Sequence, residues 1–595
     1  MARMKYSDAL VDLLKLRGYT HVFMVAGGNI MHLIESFSMK MTVIPVVHEI
    51  AAVIGADYFN EVSKNHKALA LVTVGPGLTN TVSGIAGANI DGRDVLIVGG
   101  QVKSSDLKNP FQRQKGIQEV DGVTLVKSIT KATMRLDEVT NLETIDQFLA
   151  LSHSGRKGPI FLEICLDVQG GIYDLSESEW NSYKAKVVIK NFEEECIDQQ
   201  IDELLALLKT SKRPLLLLGG GYPRNPNLTA RLVSLGIPIA TTWNASDRIP
   251  YAESVYAGRP NFFGQRFANV YIQQSDLLIV IGSSLGLQQT GFNVEGFIPN
   301  AKIVQVDIDP SILLNSFRDI DLPINVDAQI FMEKFLSREF EIKTLDFKEW
   351  TDFLEFLKNQ LPLVESVTNF STEHINPFEL INWISKVDLG DINVVPCSSG
   401  GSYTATMQVF EQNYMHTLVS SKGLGSMGYG LPGAIGAALG NAQKTILIDG
   451  DGGFAQNLQE LGTLKTQNLP IKIFIISNNG YSSIRSTQKK YFAGNYIGCD
   501  EVSKLGLPKW QKISEAYSIK YLKISKLDSE VILNDLLSEE PVIFEVLVHD
   551  DQPYLPKIDS KLSADGKMES NPLHIMFPDI DPKLAANVFK FISNK

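Results

Sequence analysis

Residues 450–481, GDGGFAQNLQELGTLKTQNLPIKIFIISNNGY, join two polar clusters, Gly450-Asp451-Gly452 at the start and Asn478-Asn479 at the end. The run TILIDG before them reads as a β-strand. FAQNLQELGTLKTQ has helical periodicity, Leu469-Pro470 stops it, and IKIFIIS reads as a second strand. A strand–helix–strand unit returns the chain to the same edge of a parallel sheet, so Asp451 and Asn478 are expected at the carboxyl ends of two strands, where ligands sit. Gly450, Gly452 and Gly453 let the backbone turn sharply and approach a ligand closely. The helix start between them would direct free N–H groups at whatever Asp451 faces. Asp and Asn oxygens with a nearby backbone carbonyl suit a hard divalent ion such as Mg²⁺, which keeps its other positions for phosphate oxygens and water. The unit reads as a metal-bridged diphosphate site.

The rest of the chain agrees with a parallel α/β architecture. HVFMVA, ALALVTV, DVLIVGG, PLLLLGGG, DLLIVIGSS, KIVQVDID and KTILIDG are apolar on both faces, as strands covered on both sides by helices require. They fall into three blocks, separated by charged, strand-poor stretches near residues 170–195 and 346–374 that read as linkers. The expected fold is therefore three doubly wound parallel-sheet domains over residues 1–170, 196–345 and 374–550, with a C-terminal tail over 551–595. With 595 residues the chain is too long for one core. A net charge of −12 offers no basic surface to nucleic acid or an anionic membrane. Cys165, Cys196, Cys397 and Cys499 are far apart and lack CxxC spacing, which argues against a zinc site or a disulfide framework. With no signal-peptide pattern and no long apolar run, a cytoplasmic, membrane-free protein is expected.

GDG followed by the Asn pair resembles the thiamine diphosphate (ThDP) motif of the acetolactate synthase-like branch of ThDP-dependent enzymes. The resemblance implies Asp451 and Asn478 as Mg²⁺ ligands, with the carbonyl of Gly480 as a third and Tyr481 beside the cofactor. Ser477 departs from the pattern, and Asn479 is the alternative ligand if the register slips by one. Three further segments resemble the family in its own order. VIPVVHEIAAVIGADYF places Glu49 at a strand end, like the family glutamate whose carboxyl bonds N1′ of the aminopyrimidine and so promotes removal of the thiazolium C2 proton. Its neighbours Val46, Val47, Ile50 and Val53 would favour the protonated carboxyl by desolvation. TVGPGLTNTVSGIAGA, residues 73–88, resembles the loop beside the thiazolium and contributes Asn80. SKGLGSMGYGLPGAIGAALG, residues 421–440, resembles the segment that bends the cofactor, with Met427 as the wedge and the Gly425 carbonyl accepting from the 4′-amino group. Gly27 and Gly28 resemble the turn facing the thiazolium, and Gln118 matches an active-site glutamine. Gln101 reads as structural and so, in most such settings, does His32; Arg113, Lys115 and Arg485 are candidates for anionic substrate contacts.

The resemblance assigns a pyrimidine-binding, a middle and a diphosphate-binding domain. It implies a homodimer or homotetramer with the active site between subunits. In acetolactate synthases, segments matching RPLLLLGGGYPRN and KIVQVDIDP hold FAD, yet in GSSLGLQQTG both family arginines are replaced, by Ser284 and Gln288, so FAD stays an open alternative. Gln288 and Thr487 stand where a carboxylate-binding Arg and a selecting Trp are expected, and a neutral amide supplies no charged fork. The expected reaction is decarboxylation of a 2-oxo acid, pyruvate first, with transfer of the two-carbon unit to a carbonyl acceptor. The last residues resemble ThDP enzymes of surface-sugar synthesis, whose acceptor is a keto-sugar nucleotide. Acetolactate synthesis, simple decarboxylation and an inactive ThDP-binding scaffold or regulatory subunit are the alternatives.

Overall fold

The computed structural model describes residues 2–185, 197–562 and 568–592. Cys196 lies outside the described residues, and the other three cysteines are buried free thiols. Three all-parallel sheets carry the chain, as expected. The N-terminal sheet runs, edge to edge, Thr42–Pro45, Tyr19–Met24, Lys67–Val72, Leu96–Gln101, Ile160–Cys165, Ala132–Leu136. The C-terminal sheet runs His416–Leu418, Ile392–Pro396, Lys444–Gly450, Ile471–Ser477, Val542–Leu547, Lys520–Ile524. Counted by chain order within its own sheet, each of these reads 2-1-3-4-6-5. The middle sheet, Ile239–Thr241, Pro214–Leu218, Leu277–Ile281, Lys302–Asp307 and Leu322–Asn325, reads 2-1-3-4-5. In all three the order reverses between strands 1 and 3, and the crevice at that point is where open α/β sheets bind ligands.

The two outer domains are joined by a pair of helices, α1 (Glu49–Val62) and α2 (Gly430–Asn441). The sequence GLPGAIGAALG gives α2 a face without side chains, and α1 presses into it. A Cβ on Gly436 would lie 2.2 Å from the Gly55 carbonyl oxygen, and one on Gly433 would meet the Tyr58 ring at 2.6 Å. Ala52, Tyr58 and Phe59 thus share one core with Ala434, Ile435 and Ala438.

Both expected linkers contain ordered structure. Ile172–Leu175 pairs antiparallel with Ala2–Lys5, and Glu177–Ala185 is helical; residues 186–195 of that stretch lie outside the described residues. Lys348–Gln360 is an amphipathic helix burying Trp350, Phe353, Leu354 and Leu357, at spacings of one helical turn, against the middle domain. Its charged face masked that periodicity. The stretch from 551 onward also docks on the middle domain: Ile558, Leu573, Met576 and Val588 are buried in the same core, and Gln274 bonds the Val588 carbonyl at 2.9 Å. Among the described residues, no helix is long and apolar enough to cross a membrane.

Candidate active site

Strands β1 (Lys444–Gly450) and β2 (Ile471–Ser477) are neighbours in register, and their ends bring Asp451 and Asn478 together as the sequence requires. Asp451 is 1 % exposed. One carboxylate oxygen accepts from the Gly452 N–H at 2.7 Å; the other accepts from the Asn478 and Gly480 N–H groups at 3.0 and 3.1 Å. Burial pushes its carboxyl up to about 6, with those donors opposing. No cationic side chain forms an ion pair with it among the described residues, so a divalent cation would add a direct counter-charge to a buried carboxylate that three backbone N–H groups and the nearby Arg485 offset only in part. The Asn478 amide nitrogen leans toward the Tyr554 hydroxyl at 3.5 Å, leaving its oxygen for a ligand. Asn479 has φ +61 and is held by Asp550 at 2.8 Å, so the register with Asn478 beside Asp451 is the one adopted. Gly480 has φ +116, and a Cβ there would meet the Cys499 carbonyl oxygen at 2.3 Å; only glycine fits. Its carbonyl accepts from Ser482 at 3.0 Å and keeps a second lone pair. The Tyr481 ring lies across Gly452, where a Cβ would be 2.4 Å from it. The residues present fit Mg²⁺ and a diphosphate.

The helix after Asp451 departs from the expected regular form. Asp451–Phe454 is one turn, and the chain kinks at Asn457 (φ −133, ψ 29) before Leu461–Thr466. Asn457 donates to the Gly428 carbonyl at 2.7 Å, a bond that ties the expected wedge segment to the diphosphate segment. Met427, 37 % exposed, stands beside Gln456, and Gly425 (φ +63) has only Ser398 and Lys422 backbone oxygens within reach of a Cβ.

A second group forms at the strand ends of the N-terminal sheet. Asn80 donates to the Glu49 carboxylate at 3.0 Å. Val46 and Val53 are buried, whereas Val47 is 56 % exposed rather than part of an apolar wall. A Cβ on Gly27 would strike Thr73 at 2.4 Å, while Gly28 faces open space. Gln118 (φ +60) is exposed with its carbonyl against Gly75, and the loop carrying it is pinned by Glu119, which accepts from the Lys108, Lys115 and Gly116 amides. Gln101 is structural: it is buried, donating to the Val120 carbonyl at 2.8 Å. His32 packs against Gly170.

Two functional contacts escaped the sequence. Glu460, fully buried, accepts from the Val47 and His48 amides at 3.2 and 3.0 Å, so the diphosphate-side segment holds the N-terminus of α1 across the domain boundary. Tyr554, adjacent to Asn478, packs over Gly401 in the first turn of the helix Gly400–Val409. Arg485, by contrast, is not an anion contact. It is 4 % exposed and donates to the Asn478, Asn479 and Asp550 carbonyls, bracing the loop from beneath.

Comparison with known proteins agrees with this arrangement domain by domain. Residues 4–125 match the family model of the thiamine pyrophosphate enzyme N-terminal TPP binding domain, 201–335 the central domain and 399–546 the C-terminal TPP binding domain. Acetolactate synthase 2, chloroplastic, of Nicotiana tabacum is 28% identical over 574 residues, 93% of this chain and 84% of that one. The acetolactate synthase large subunit of Corynebacterium glutamicum is 29% identical over 579 residues (93% and 88%). The probable large subunit of Methanocaldococcus jannaschii is 28% identical over 561 residues (92% of each). With three family models in order along the chain and acetolactate synthases aligned over more than nine-tenths of it, the protein belongs to the thiamine pyrophosphate enzymes and is an enzyme of the acetolactate synthase type.

Proposed function

We propose that the protein decarboxylates pyruvate and joins the two-carbon unit to a bulky carbonyl acceptor lacking a carboxylate at the reacting carbon, a keto-sugar nucleotide being the class in view. The observation that carries this reading is the lack of a free cation on the helix Ser482–Tyr491, where the acceptor is expected. Arg485 is spent on backbone carbonyls, Lys489 pairs with Asp551 at 3.0 Å, and Lys490 pairs with Asp559 at 2.7 Å. Thr487 bonds back to the Ser483 carbonyl, and Gln288 is an exposed neutral amide. On that helix a second pyruvate carboxylate would thus find no free charged partner, a loss of roughly 1.5–3 kcal/mol or about ten- to hundredfold.

Thiamine diphosphate with Mg²⁺, when bound, supplies the nucleophilic carbon and the electron sink for decarboxylation. Asp451, Asn478 and the Gly480 carbonyl would hold the metal. Glu49, its carboxyl oriented by Asn80, would hold a proton at N1′ of the aminopyrimidine; the Gly425 carbonyl would receive the 4′-amino group, with Met427 beside the rings. Gly28 and Gln118 line the thiazolium side. Glu49 and Asp451 serve one cofactor from two subunits, making a homodimer the minimal active unit and a homotetramer its doubled form.

Incubation with pyruvate, ThDP, Mg²⁺ and a panel of aldehydes, ketones and keto-sugar nucleotides, read by mass, tests the proposal. A bulky acceptor should outcompete a second pyruvate, and Gln288→Arg should shift products toward acetolactate. The relatives are acetolactate synthases by name, which favours acetolactate synthesis; efficient acetolactate formation undiminished by other acceptors would establish that reading instead.

A further inference from the structure

The relationship to acetolactate synthases implies a flavin in the middle domain, and the residues present do not accommodate one. The glycine turn after Pro214–Leu218 is closed on itself. Three of the four amides over Gly219–Tyr222 are committed: Gly219 to the Ile281 carbonyl at 2.8 Å, Gly221 to Gly282 at 3.0 Å, and Tyr222 to Gly219 at 3.0 Å. A Cβ on Gly219 would lie 2.1 Å from the Gly282 oxygen, so the glycines answer to the contact between two strand ends. That turn has few donors left for a diphosphate.

The cations beside the turn are equally committed. Arg224 binds Asp247 at 2.9 Å, Glu61 at 3.1 Å and the Leu418 carbonyl at 3.1 Å, while Arg248 pairs with Asp247 and donates to the Tyr222 carbonyl at 3.0 Å. At the acidic corner, Asp307 accepts from the Asp309 amide at 2.9 Å, and Asp309 caps Ser311 at 3.0 Å. The route from the glycine turn to the thiamine side is bridged. Asn244, next to Gly220, donates to Asp91 at 3.1 Å, and Asp91 accepts from Ser421 and Gly423 at 2.7 and 3.0 Å. Between them the Lys422 ammonium sits 4.8 Å from the Trp243 ring and 5.3 Å from the Tyr403 ring, which meet edge to face.

We infer that this enzyme works without flavin, its three domains being pinned by the Asn244–Asp91–Ser421 bridge and the Lys422–Trp243–Tyr403 stack along the path a dinucleotide would take. The test needs no turnover. The full-length protein, purified from riboflavin-replete cells and then denatured, should release flavin far below one per chain, and FAD titrated into the ThDP–Mg²⁺ form should show no saturable change in fluorescence anisotropy. Stoichiometric released flavin, or saturable FAD binding that Gly220→Leu abolishes, would overturn the inference. Because flavin content is read apart from product identity, the acceptor proposal stands or falls separately.

Discussion

Replacing Glu49 by Gln keeps the size of the side chain and a partner for Asn80 while removing a carboxyl from the N1′ position. Exchange of the thiazolium C2 proton with deuterium should slow on the order of 10²–10⁴-fold, with ThDP affinity nearly unchanged. Exchange at the wild-type rate would remove Glu49 from the proton chemistry. Asp451→Ala acts at the other end of the cofactor. Changing an outer partner of a metal ligand already costs about 10–100-fold, so loss of the ligand itself should reduce ThDP affinity by more. Calorimetry at saturating Mg²⁺ measures this, and unchanged affinity would place the metal elsewhere. Both residues stood out because each is local: Glu49 just after an apolar strand at a helix start, Asp451 at a strand end between glycines. Tyr554 was not, since 76 residues of chain separate it from Asn478.

At the scale of elements, α1 owes its position to two supports: the glycine face of α2 and the Glu460 carboxylate. Glu460→Ala would leave two amides at the start of α1 without acceptors, a penalty of about 1–3 kcal/mol for each that stays buried. The expected signature is a lower thermal midpoint together with slower C2 exchange, because Glu49 lies one residue beyond His48. Glu460→Gln, which keeps one acceptor oxygen, should restore part of both. A variant that lost stability while exchanging normally would confine Glu460 to a structural role. The sequence displayed the small-residue run of α2, but not its purpose, since which helix fills a groove depends on the packing of two domains. The Lys348–Gln360 helix was hidden differently: its four buried positions carry the right spacing inside a segment whose charge reads as linker.

For the molecule as a whole, acid sensitivity follows from two buried imidazoles. Burial lowers both His416 and His574 from 6.5 to about 4. The unfolded chain therefore binds more protons between those values. The imidazoles' contribution to stability is complete above about 6.5 and is lost as pH falls toward 4, opposed over the same range by the raised Asp451 carboxyl. For His416, 5 % exposed against Phe410, the loss approaches about 3 kcal/mol. Denaturant midpoints across that range should fall with acid, and His416→Gln should flatten part of the slope; an unaltered slope would assign the effect to other groups. The three-sheet plan was readable from apolar runs alone. The shared 2-1-3-4-6-5 order of the outer sheets was not, because strand adjacency depends on crossovers that periodicity does not encode.

The docking of the last residues onto the middle domain also sets a timetable for biosynthesis. At about 5–20 residues per second, the ribosome delivers the segment containing Ile558 to Val588 on the order of 10–50 s after the middle sheet has emerged. Over that interval the apolar groove that these side chains later occupy stays open, a docking place for chaperones. Pulse proteolysis of nascent chains stalled at successive lengths should find the middle domain cleavable until the segment from Ile558 to Val588 clears the exit tunnel; resistance at residue 345 would show that the domain closes unaided. A chain lacking Ile558, Leu573, Met576 and Val588 would leave that apolar groove of the middle domain open to water.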